Sequence, residues 1–538
     1  MPRNILFIMY DQLRYDYLSC AGHKTLHTPH MDRLAAMGVR FANTYVQSPV
    51  CGASRMSFYT GRYVSSHGAA WNGFPLKVGE LTLGDHLRDN GVASWLIGKT
   101  HMRVDHKGME RLGISQDGII GARVAQCGFD VWEREDGLNA EGPDGHYDPE
   151  PSPYNEFLKA KGYGGENPWH DHANAAEVDG DIASGWLMQH ADKPANIAEE
   201  DSETPWLTSR AIDFLNSGAA EKPWMAHVSF IKPHWPYIVP APYHNMYGHN
   251  AIQPVNRAES ELEDMHPVYA AFHNNAIGQA FSRDEVREKV IPAYMGLIKQ
   301  CDDQLGRLLD HLEATGRMED TMIVLTSDHG DYLGDHWLGE KDLFHAPSVK
   351  VPLIIYDPEA NDTRGTVVEE LIESIDLAPT FVEATGGAPA DHILEGRSLM
   401  PFLRGKRPEW RDYVVSEYDY SSTGMREALG VSTTDARLFM VADPRYTFIH
   451  AEGGFRPILF DRQTDPGELE DLGCNPAHAD VIAMMHERLN QWARRPSQRT
   501  TRSEAEILAK GKNTGVIIGA YDENDVSPED MVKYSGKN

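Results

Sequence analysis

The chain has 538 residues, of which 41% are hydrophobic and 24% charged, a composition typical of a globular protein with one large and one smaller domain. The formal net charge of −30 argues against nucleic acid as a partner, because phosphate backbones bind to basic surfaces, but a small anionic substrate can still meet a locally positive pocket. The five cysteines are scattered without CxxC or Cys/His finger spacing, which argues against a disulfide framework and a structural zinc site.

The first predicted element is a short apolar run, Ile5 to Tyr10, which Asp11 interrupts. This run is too short for the hydrophobic core of a signal peptide. No stretch reaches the roughly 20 apolar residues that a membrane span needs. We therefore expect a cytoplasmic protein without a membrane partner.

Short apolar runs along the chain predict buried strands of a parallel sheet. These runs are residues 4–10, 93–99, 224–230, 321–328 and 351–357. Amphipathic segments that end on glycine predict helices over 30–38 and 294–316. Strands that alternate with helices indicate an α/β fold with helices on both faces of the sheet. Such folds carry their site at the carboxyl ends of the strands.

Residues 130–205 are weakly periodic and rich in Gly, Pro and acidic residues, which predicts a long insertion. Two interpretations stay open for it, a lid over the site and a solvated surface loop. Beyond residue 405, short strand patterns and a helical pattern at 478–494 predict an antiparallel sheet with one helix. We predict a catalytic α/β domain over 1–405 and a smaller α+β domain over 406–538. A homo-oligomer is expected, in which a partner subunit can cover the tail at 500–538.

Polar pairs at the ends of two predicted strands predict a metal site. Asp11 and Gln12 follow the first strand, and Asp328 and His329 end the fourth. Their oxygen and nitrogen donors suit one divalent ion; the imidazole favours manganese or zinc, and calcium is still possible. An Asp-His-Gly sequence alone is more typical of a turn. The second polar pair is what favours the metal.

Basic side chains on separate segments predict an anion site near the same strand ends. They are Arg55, Lys99, His101, His234 and Lys341. Each alone is more typical of a surface charge or a core histidine. Together they suit a tetrahedral sulfate or phosphate group, whose charge must be offset while a nucleophile attacks.

Cys51 lies in a polar stretch of small residues, SPVCGASRMSFYTGRY, residues 48–63. A buried structural cysteine is one interpretation. A phosphatase-type thiolate is another, but the arginine of that family would stand at Ser57, and Arg55 comes too early. A plain thiolate also suits a hard metal site poorly, so an oxygen nucleophile fits better.

The segment CGASRMSFYTGRY, residues 51–63, resembles the sulfatase signature, and residues 28–50 resemble the segment that leads into it. Further blocks follow in the family's order: GKTH (98–101), KPHWPY (232–237), TSDHGDYLGDH (326–336) with Lys341, and FDRQTDPGELEDL (460–472). The resemblance runs from residue 4 to about 472 and points to the arylsulfatase and phosphonate monoester hydrolase branch of the alkaline phosphatase superfamily. It implies a large mixed, mostly parallel sheet between helices, followed by a smaller C-terminal α+β subdomain.

The resemblance also implies a mechanism. In this family an oxidation converts the signature cysteine to formylglycine; one hydroxyl of the hydrated aldehyde attacks, and deprotonation of the other releases the product. For this chain it implies a formylglycine made from Cys51 and bound to the metal, a formylglycine-generating enzyme as partner, and a small sulfate or phosphonate/phosphate ester as substrate. The metal-binding role carries over by position to Asp11, Gln12, Cys51, Asp328 and His329. Arg55 would orient residue 51, and contact with the transferred group carries over to Lys99, His101, His234 and Lys341. Substrate binding carries over to Asn72 and Thr100. His234 is the leading candidate for the acid that protonates the leaving oxygen, and His101 is expected to serve residue 51.

Two departures from the commoner sulfatase pattern matter. Gln12 and His329 replace an aspartate and an asparagine, a set closer to phosphonate monoester hydrolases and choline-sulfatase-like members. Ala53 replaces a proline, which bears on how completely Cys51 is oxidised. The first hypothesis is an aryl sulfatase with promiscuous phosphonate monoester and phosphodiester hydrolysis. The second has phosphonate monoester and phosphodiester hydrolysis as the main activity, and the third is a metal-binding pseudoenzyme with an unmodified Cys51.

Overall fold

The computed structural model describes residues 4–115, 118–137, 152–511, 520–529 and 531. Its strands are β1 (Asn4–Asp11), β2 (Val39–Tyr45), β3 (Ala93–Gly98), β4 (Asp130–Arg134), β5 (Ala175–Val178), β6 (Asp181–Ser184), β7 (Trp224–Pro233), β8 (Thr321–Ser327), β9 (Lys350–Tyr356), β10 (Thr366–Glu373), β11 (Val414–Asp419), β12 (Arg437–Ala442), β13 (Tyr446–Ala451) and β14 (Ile458–Asp461). Its α-helices are α1 (Pro29–Met37), α2 (Cys51–Thr60), α3 (Val64–His67), α4 (Leu83–Asp89), α5 (His106–Leu112), α6 (Ile119–Ala125), α7 (Pro153–Ala160), α8 (Glu203–Leu215), α9 (Pro267–His273), α10 (Ala276–Phe281), α11 (Asp284–Ala314), α12 (Ala346–Val349), α13 (Leu377–Ala384), α14 (Met400–Leu403), α15 (Gly424–Leu429), α16 (Ala479–Ala493) and α17 (Glu504–Gly511).

The large sheet has eight strands in the order β10-β2-β9-β8-β1-β7-β3-β4. Alternate residues of β1 fill two cores: Ile5 and Phe7 pack on one face of the sheet, and Leu6 and Ile8 pack on the other. A strand that is buried on both faces reads as a continuous apolar run, which is why the sequence marks β1 so clearly. The predicted α/β fold with helices on both faces is confirmed.

Strand β9 corrects the predicted direction of one strand. The run at 351–357 was expected to lie parallel to its neighbours, but β9 is antiparallel to both β8 and β2. A parallel return needs a crossover, usually through a helix, and the segment between β8 and β9 contains a short 3₁₀ turn and the one-turn α12 but no longer helix. The sheet is therefore mixed and mostly parallel, as the resemblance implied.

Backbone hydrogen bonds join the start and the end of the segment between β8 and β9. The N–H of Gly330 donates to the carbonyl of Ser348 at 2.8 Å, and the N–H of Asp331 donates to the carbonyl of Pro347 at 2.9 Å. Because both ends of this segment continue into central strands, its first residues are held firmly against the sheet.

The C-terminal part forms a second sheet in the order β11-β12-β13-β14, with antiparallel neighbours throughout. Helix α16 covers it, and Val441, Phe448, Met485 and Trp492 share one core cluster. The predicted antiparallel sheet and its helix are confirmed. The domain boundary near residue 405 stays a prediction, and it falls between β10 and β11.

The predicted insertion at 130–205 is only partly within the described residues, since 138–151 lie outside them. In the described part, Tyr154, Leu158 and Trp169 are buried in the core beside α8 and α11. Residues 512–519, 530 and 532–538 of the predicted tail also lie outside the described residues. Among the helices that are described, none combines the length and the apolar character needed to cross a membrane.

Candidate active site

The predicted site residues converge at the carboxyl ends of the central strands. Asp11 ends β1, Lys99 follows β3, His234 follows β7, and Asp328 follows β8. These strands are neighbours in the order β8-β1-β7-β3, so their ends lie side by side. A single site is the result, as the topology of α/β sheets predicts.

Cys51 is the first residue of α2 and is fully buried. Its Sγ lies 3.0 Å from His329 Nε2, 3.2 Å from Lys341 Nζ and 3.8 Å from Asp11 Oδ1. Burial would raise the pKa of the thiol, but the positive charges of Lys341 and His329 outweigh it and hold that pKa well below its ordinary value. The free N–H groups of a helix N-terminus also favour negative charge at this position.

Asp11, Cys51, Asp328 and His329 offer ligand atoms that all lie within 4.8 Å of one another. All four residues are buried. The Nδ1 of His329 lies 2.8 Å from the carbonyl oxygen of Gly330 and donates to it, which leaves Nε2 facing the other three. Two carboxylates, one imidazole and residue 51 are a donor set that fits a divalent cation.

The electrostatics of these four residues also indicate a cation site. Burial and the charge of Asp11 raise the pKa of Asp328 above its ordinary value. Burial alone would lower the pKa of His329, but the charges of Asp328 and Cys51 raise it to about 9. An imidazolium thus supplies positive charge where the carboxylates require it. A metal needs the neutral imidazole, so its binding must release that proton.

Gln12, the remaining predicted metal ligand, has a left-handed backbone with φ of 66°. Its N–H donates to Asp328 Oδ1 at 3.1 Å, and its side-chain Oε1 lies 3.5 Å from Lys341 Nζ. The amide oxygen therefore reaches the same pocket as the carboxylates.

Arg55 is fully buried and joins the two carboxylates of the site. Its Nε donates to Asp328 Oδ2 at 2.8 Å, and its Nη2 donates to Asp11 Oδ2 at 3.1 Å. Its Nη1 donates to Ser229 Oγ at 2.7 Å and to the carbonyl of Lys99 at 3.2 Å. These bonds hold the two metal-site carboxylates in place. The role of Arg55 in orienting residue 51 stays a prediction.

Lys99, His234 and Lys341 form the basic side of the pocket. Lys99 Nζ lies 2.6 Å from Asp11 Oδ2, and Lys341 Nζ lies 3.0 Å from His234 Nε2. Burial and the charge of Lys341 lower the pKa of His234 to about 3. Lys341 therefore donates in this pair and His234 accepts, so the proton between the two side chains is carried by the lysine.

His101 and Thr100 continue from Lys99. His101 has φ of 55°, helps to lower the pKa of the Cys51 thiol, and has a buried Nδ1 without a hydrogen-bond partner among the described residues. Thr100 is buried; its N–H donates to Asp136 Oδ1 at 3.0 Å, and its Oγ1 accepts from the N–H of Met102 at 3.4 Å. The substrate contact predicted for Thr100 stays a prediction.

Asn72 has a structural contact that the sequence did not indicate. Its Oδ1 accepts from the N–H of Gly52 at 2.8 Å, one of the N–H groups at the start of α2 that lack a partner within the helix. A Cβ on Gly52 would come within 2.9 Å of the same Oδ1, so a larger residue at position 52 would displace this contact. Asn72 thus fixes the helix end that carries Cys51.

Replacement of Asn72 by alanine is expected to lower the free energy of unfolding by about 1 kcal/mol, because the N–H of Gly52 loses its acceptor. Asn72→Asp keeps an acceptor and should retain stability, but its charge should still reduce turnover of an anionic ester. Urea unfolding and steady-state kinetics of both variants check this. Equal stability of wild type and Asn72→Ala would contradict the capping role.

Some functional neighbours were missed by sequence reasoning. Ser229 lies inside a buried strand and carries no motif, so nothing marked it as a partner of Arg55. Asp331 accepts from the amide of Gln12, and its place two residues after His329 was the signal that could have revealed it.

Aromatic side chains lie next to the basic side of the pocket. The ring of Trp235 lies 4.4 Å from that of His234, and the ring of Trp186 lies 4.8 Å from that of Trp235. Trp186 belongs to the predicted insertion and is 38% exposed. The insertion therefore reaches the edge of the site, and a lid role for it stays a prediction.

Two family models match the chain. The model described as Sulfatase matches residues 3–388, and the model described as N-sulphoglucosamine sulphohydrolase, C-terminal, matches residues 334–495. The multifunctional alkaline phosphatase superfamily protein PehA of Trinickia caryophylli is 32% identical over 93% of this chain and 96% of its own. The arylsulfatase of Clostridium perfringens is 27% identical over 88% of this chain and 90% of its own.

Solved structures of phosphonate monoester hydrolases are similar over most of the chain. The enzyme from Silicibacter pomeroyi superposes with a TM-score of 0.80 and 29% identity, covering 92% of this chain and 96% of its own. The enzyme from Agrobacterium radiobacter has a TM-score of 0.78 and 28% identity, covering 91% of this chain and 95% of its own.

Proposed function

The chain belongs to the sulfatase family and is a hydrolase of sulfate or phosphonate esters, and we propose that it prefers phosphonate monoesters and phosphodiesters and turns over sulfate esters more slowly. The observation that carries the proposal is the convergence of Cys51 with Asp11, Asp328 and His329 within 4.8 Å at the start of α2. The preference is supported by Gln12 and His329 in the donor set and by the similarity to the phosphonate monoester hydrolases.

The proposed cofactors are one divalent metal ion, with Mn²⁺ favoured over Ca²⁺ and Zn²⁺, and a formylglycine at position 51. Asp11, Gln12, Asp328 and His329 would hold the metal, which supplies positive charge to the ester oxygens and acidifies a hydroxyl. Formylglycine supplies two hydroxyl groups on one carbon, one to attack and one to expel the product. A formylglycine-generating enzyme is the proposed partner.

The residues of this chain would divide the remaining work. Lys99 and Lys341 bind the oxygens of the transferred group, because their ammonium groups flank Cys51 and Asp11. Lys341 donates to His234 at 3.0 Å, and this pair delivers the proton that the leaving oxygen receives. His101 accepts the proton of residue 51 that must leave before the product departs.

Two substrates with the same aryl leaving group test the preference. We expect kcat/KM for the aryl phosphonate monoester to exceed that for the aryl sulfate by at least about tenfold, which corresponds to about 1.4 kcal/mol of transition-state stabilisation. Because the two substrates share a leaving group, a difference in leaving-group reactivity cannot explain a difference in kcat/KM. Because both are assayed at equal metal loading, a difference in metal occupancy cannot explain it either.

The reverse order would favour the second candidate, a sulfate ester hydrolase with promiscuous phosphonate hydrolysis. The Sulfatase family model and the pair Lys99 and His101, typical of sulfatases, favour that candidate. No turnover of either ester by metal-loaded protein from its native host would instead favour the pseudoenzyme with an unmodified Cys51.

A further inference from the structure

We propose that Asp331 is a positioning residue that turns the amide of Gln12 so that its oxygen, and not its nitrogen, faces the metal. Asp331 is fully buried and follows the metal-site residues Asp328 and His329 in the same segment. It lies outside the group of residues that could hold the ion themselves. Its effect on the metal would therefore pass through Gln12.

The side chain of Gln12 is held from one end. Its Nε2 donates to Asp331 Oδ2 at 2.5 Å and to Tyr237 Oη at 3.1 Å. The hydroxyl of Tyr237 donates to the same Oδ2 at 2.6 Å. The other end of the amide, Oε1, lies 3.5 Å from Lys341 Nζ, on the side of Cys51.

The chemistry of a carboxylate decides which way the amide points. An ionised Asp331 only accepts hydrogen bonds, so it faces the NH₂ group of Gln12 and leaves the carbonyl oxygen for the pocket. A carboxylate behind a ligand also increases that ligand's electron density, as carboxylates behind zinc-bound histidines do. The backbone of Gln12 cannot adjust instead, because its N–H is bonded to Asp328 and its carbonyl accepts from Tyr294 at 2.6 Å.

Asp331 also has a local structural bond, which the test must separate from positioning. Its Oδ1 accepts from the N–H of Leu333 at 2.9 Å. In Asp331→Asn, the new amide keeps its oxygen toward Leu333 and turns its NH₂ toward Gln12, so two donors meet. The clash between the two donors is removed if the amide of Gln12 flips, but the flip points its NH₂ group at the metal.

A double-mutant cycle separates the two roles. In the Gln12→Glu background the side chain at position 12 carries only acceptors, so the NH₂ group introduced at position 331 has a partner again in the double variant. The variants are Asp331→Asn, Gln12→Glu, the combination of both, and the control Asp335→Asn. Asp335 is a nearby carboxylate that accepts from Arg14 at 2.8 Å and from the N–H of Asn256 at 2.9 Å and does not contact Gln12.

The measured quantity is the apparent Kd for Mn²⁺, obtained by chelator competition on protein whose conversion of residue 51 is matched by mass spectrometry. We expect Asp331→Asn to weaken Mn²⁺ binding by about 10–100-fold in the Gln12 background. We expect no weakening in the Gln12→Glu background, and none in Asp335→Asn.

An equal loss in both backgrounds, or no loss in either, would overturn the inference, because positioning through Gln12 requires the effect to depend on residue 12. The inference rests on the proposed function, and the titration distinguishes the two failures. Wild-type protein that binds no divalent metal would contradict both the proposed function and this inference. If wild-type protein binds Mn²⁺ but the cycle shows no coupling between positions 12 and 331, this inference alone is contradicted.

Discussion

Replacement of Cys51 by alanine is expected to lower kcat/KM on the aryl phosphonate and the aryl sulfate alike, by at least about 10⁴-fold. The physical reason is that residue 51 is the proposed source of the attacking oxygen, and its Sγ lies within 3.8 Å of three basic or acidic side chains that would serve that attack. Steady-state kinetics on metal-loaded protein check the result. Mass spectrometry of the peptide that carries residue 51 shows the fraction converted to formylglycine in the wild type.

A matched control is Cys301→Ala, which removes another buried thiol, in the core behind β1 and β7. It should leave kcat/KM within about twofold, with a modest loss of stability from the small cavity. Full activity of Cys51→Ala would contradict the proposed nucleophile. Full activity of native-host protein with an unmodified Cys51 would contradict the formylglycine, and Ala53 makes the extent of conversion worth measuring.

The second large effect concerns stability. Replacement of Arg55 by methionine is expected to lower the free energy of unfolding at neutral pH by about 3–5 kcal/mol, because Asp11 and Asp328 would keep their buried charges without their shared partner. Added Mn²⁺ should recover part of the loss, since a metal ion offsets the same two carboxylates. Urea unfolding with and without the metal measures both effects.

The control for this prediction is Arg33→Met. Arg33 pairs with Asp310 and Glu313, whose side chains are 67% and 51% exposed. Exposed pairs of this kind contribute up to about 1 kcal/mol, so the control should unfold close to the wild type. If the two variants lost equal stability, Arg55 would not be the electrostatic centre of the site.

Much of the fold could be predicted because burial on both faces leaves a clear pattern. The runs that became β1, β7 and β8 are fully buried, and most of their residues are apolar. Strands β2 and β4 were missed because they are only partly buried, so polar residues interrupt their apolar patterns. The antiparallel direction of β9 could not be predicted, because the side-chain pattern of a strand does not specify whether it runs parallel or antiparallel to its neighbours.

Helix α11 shows how packing overrides a local signal. Its pattern predicted a start at residue 294, just after Pro292, but the helix begins at Asp284 and continues through that proline. A proline inside a helix costs about 3 kcal/mol. Val286, Val290 and Ile291 are buried along the same helix, and their burial offsets that cost.

The site was predictable where the chemistry lies in adjacent residues at a strand end. Asp11-Gln12 and Asp328-His329 are such pairs, and the structure brings them together. Ser229 and the capping contact of Asn72 depend on segments that meet only in the folded chain, so no local pattern could show them. The acid assigned to the leaving group stays a prediction, and the bond from Lys341 to His234 adds a lysine to that assignment.

The short return from β8 to β9 has a consequence for how this protein could acquire new substrates. The segment that contributes Asp328, His329 and Lys341 begins and ends in central strands, so changes there would disturb the chemistry and the sheet together. Trp186 comes from a different part of the chain and meets the site through Trp235. Changes at this edge of the site can therefore leave the bond-breaking residues as they are, which gives selection two separate parts of the chain to act on.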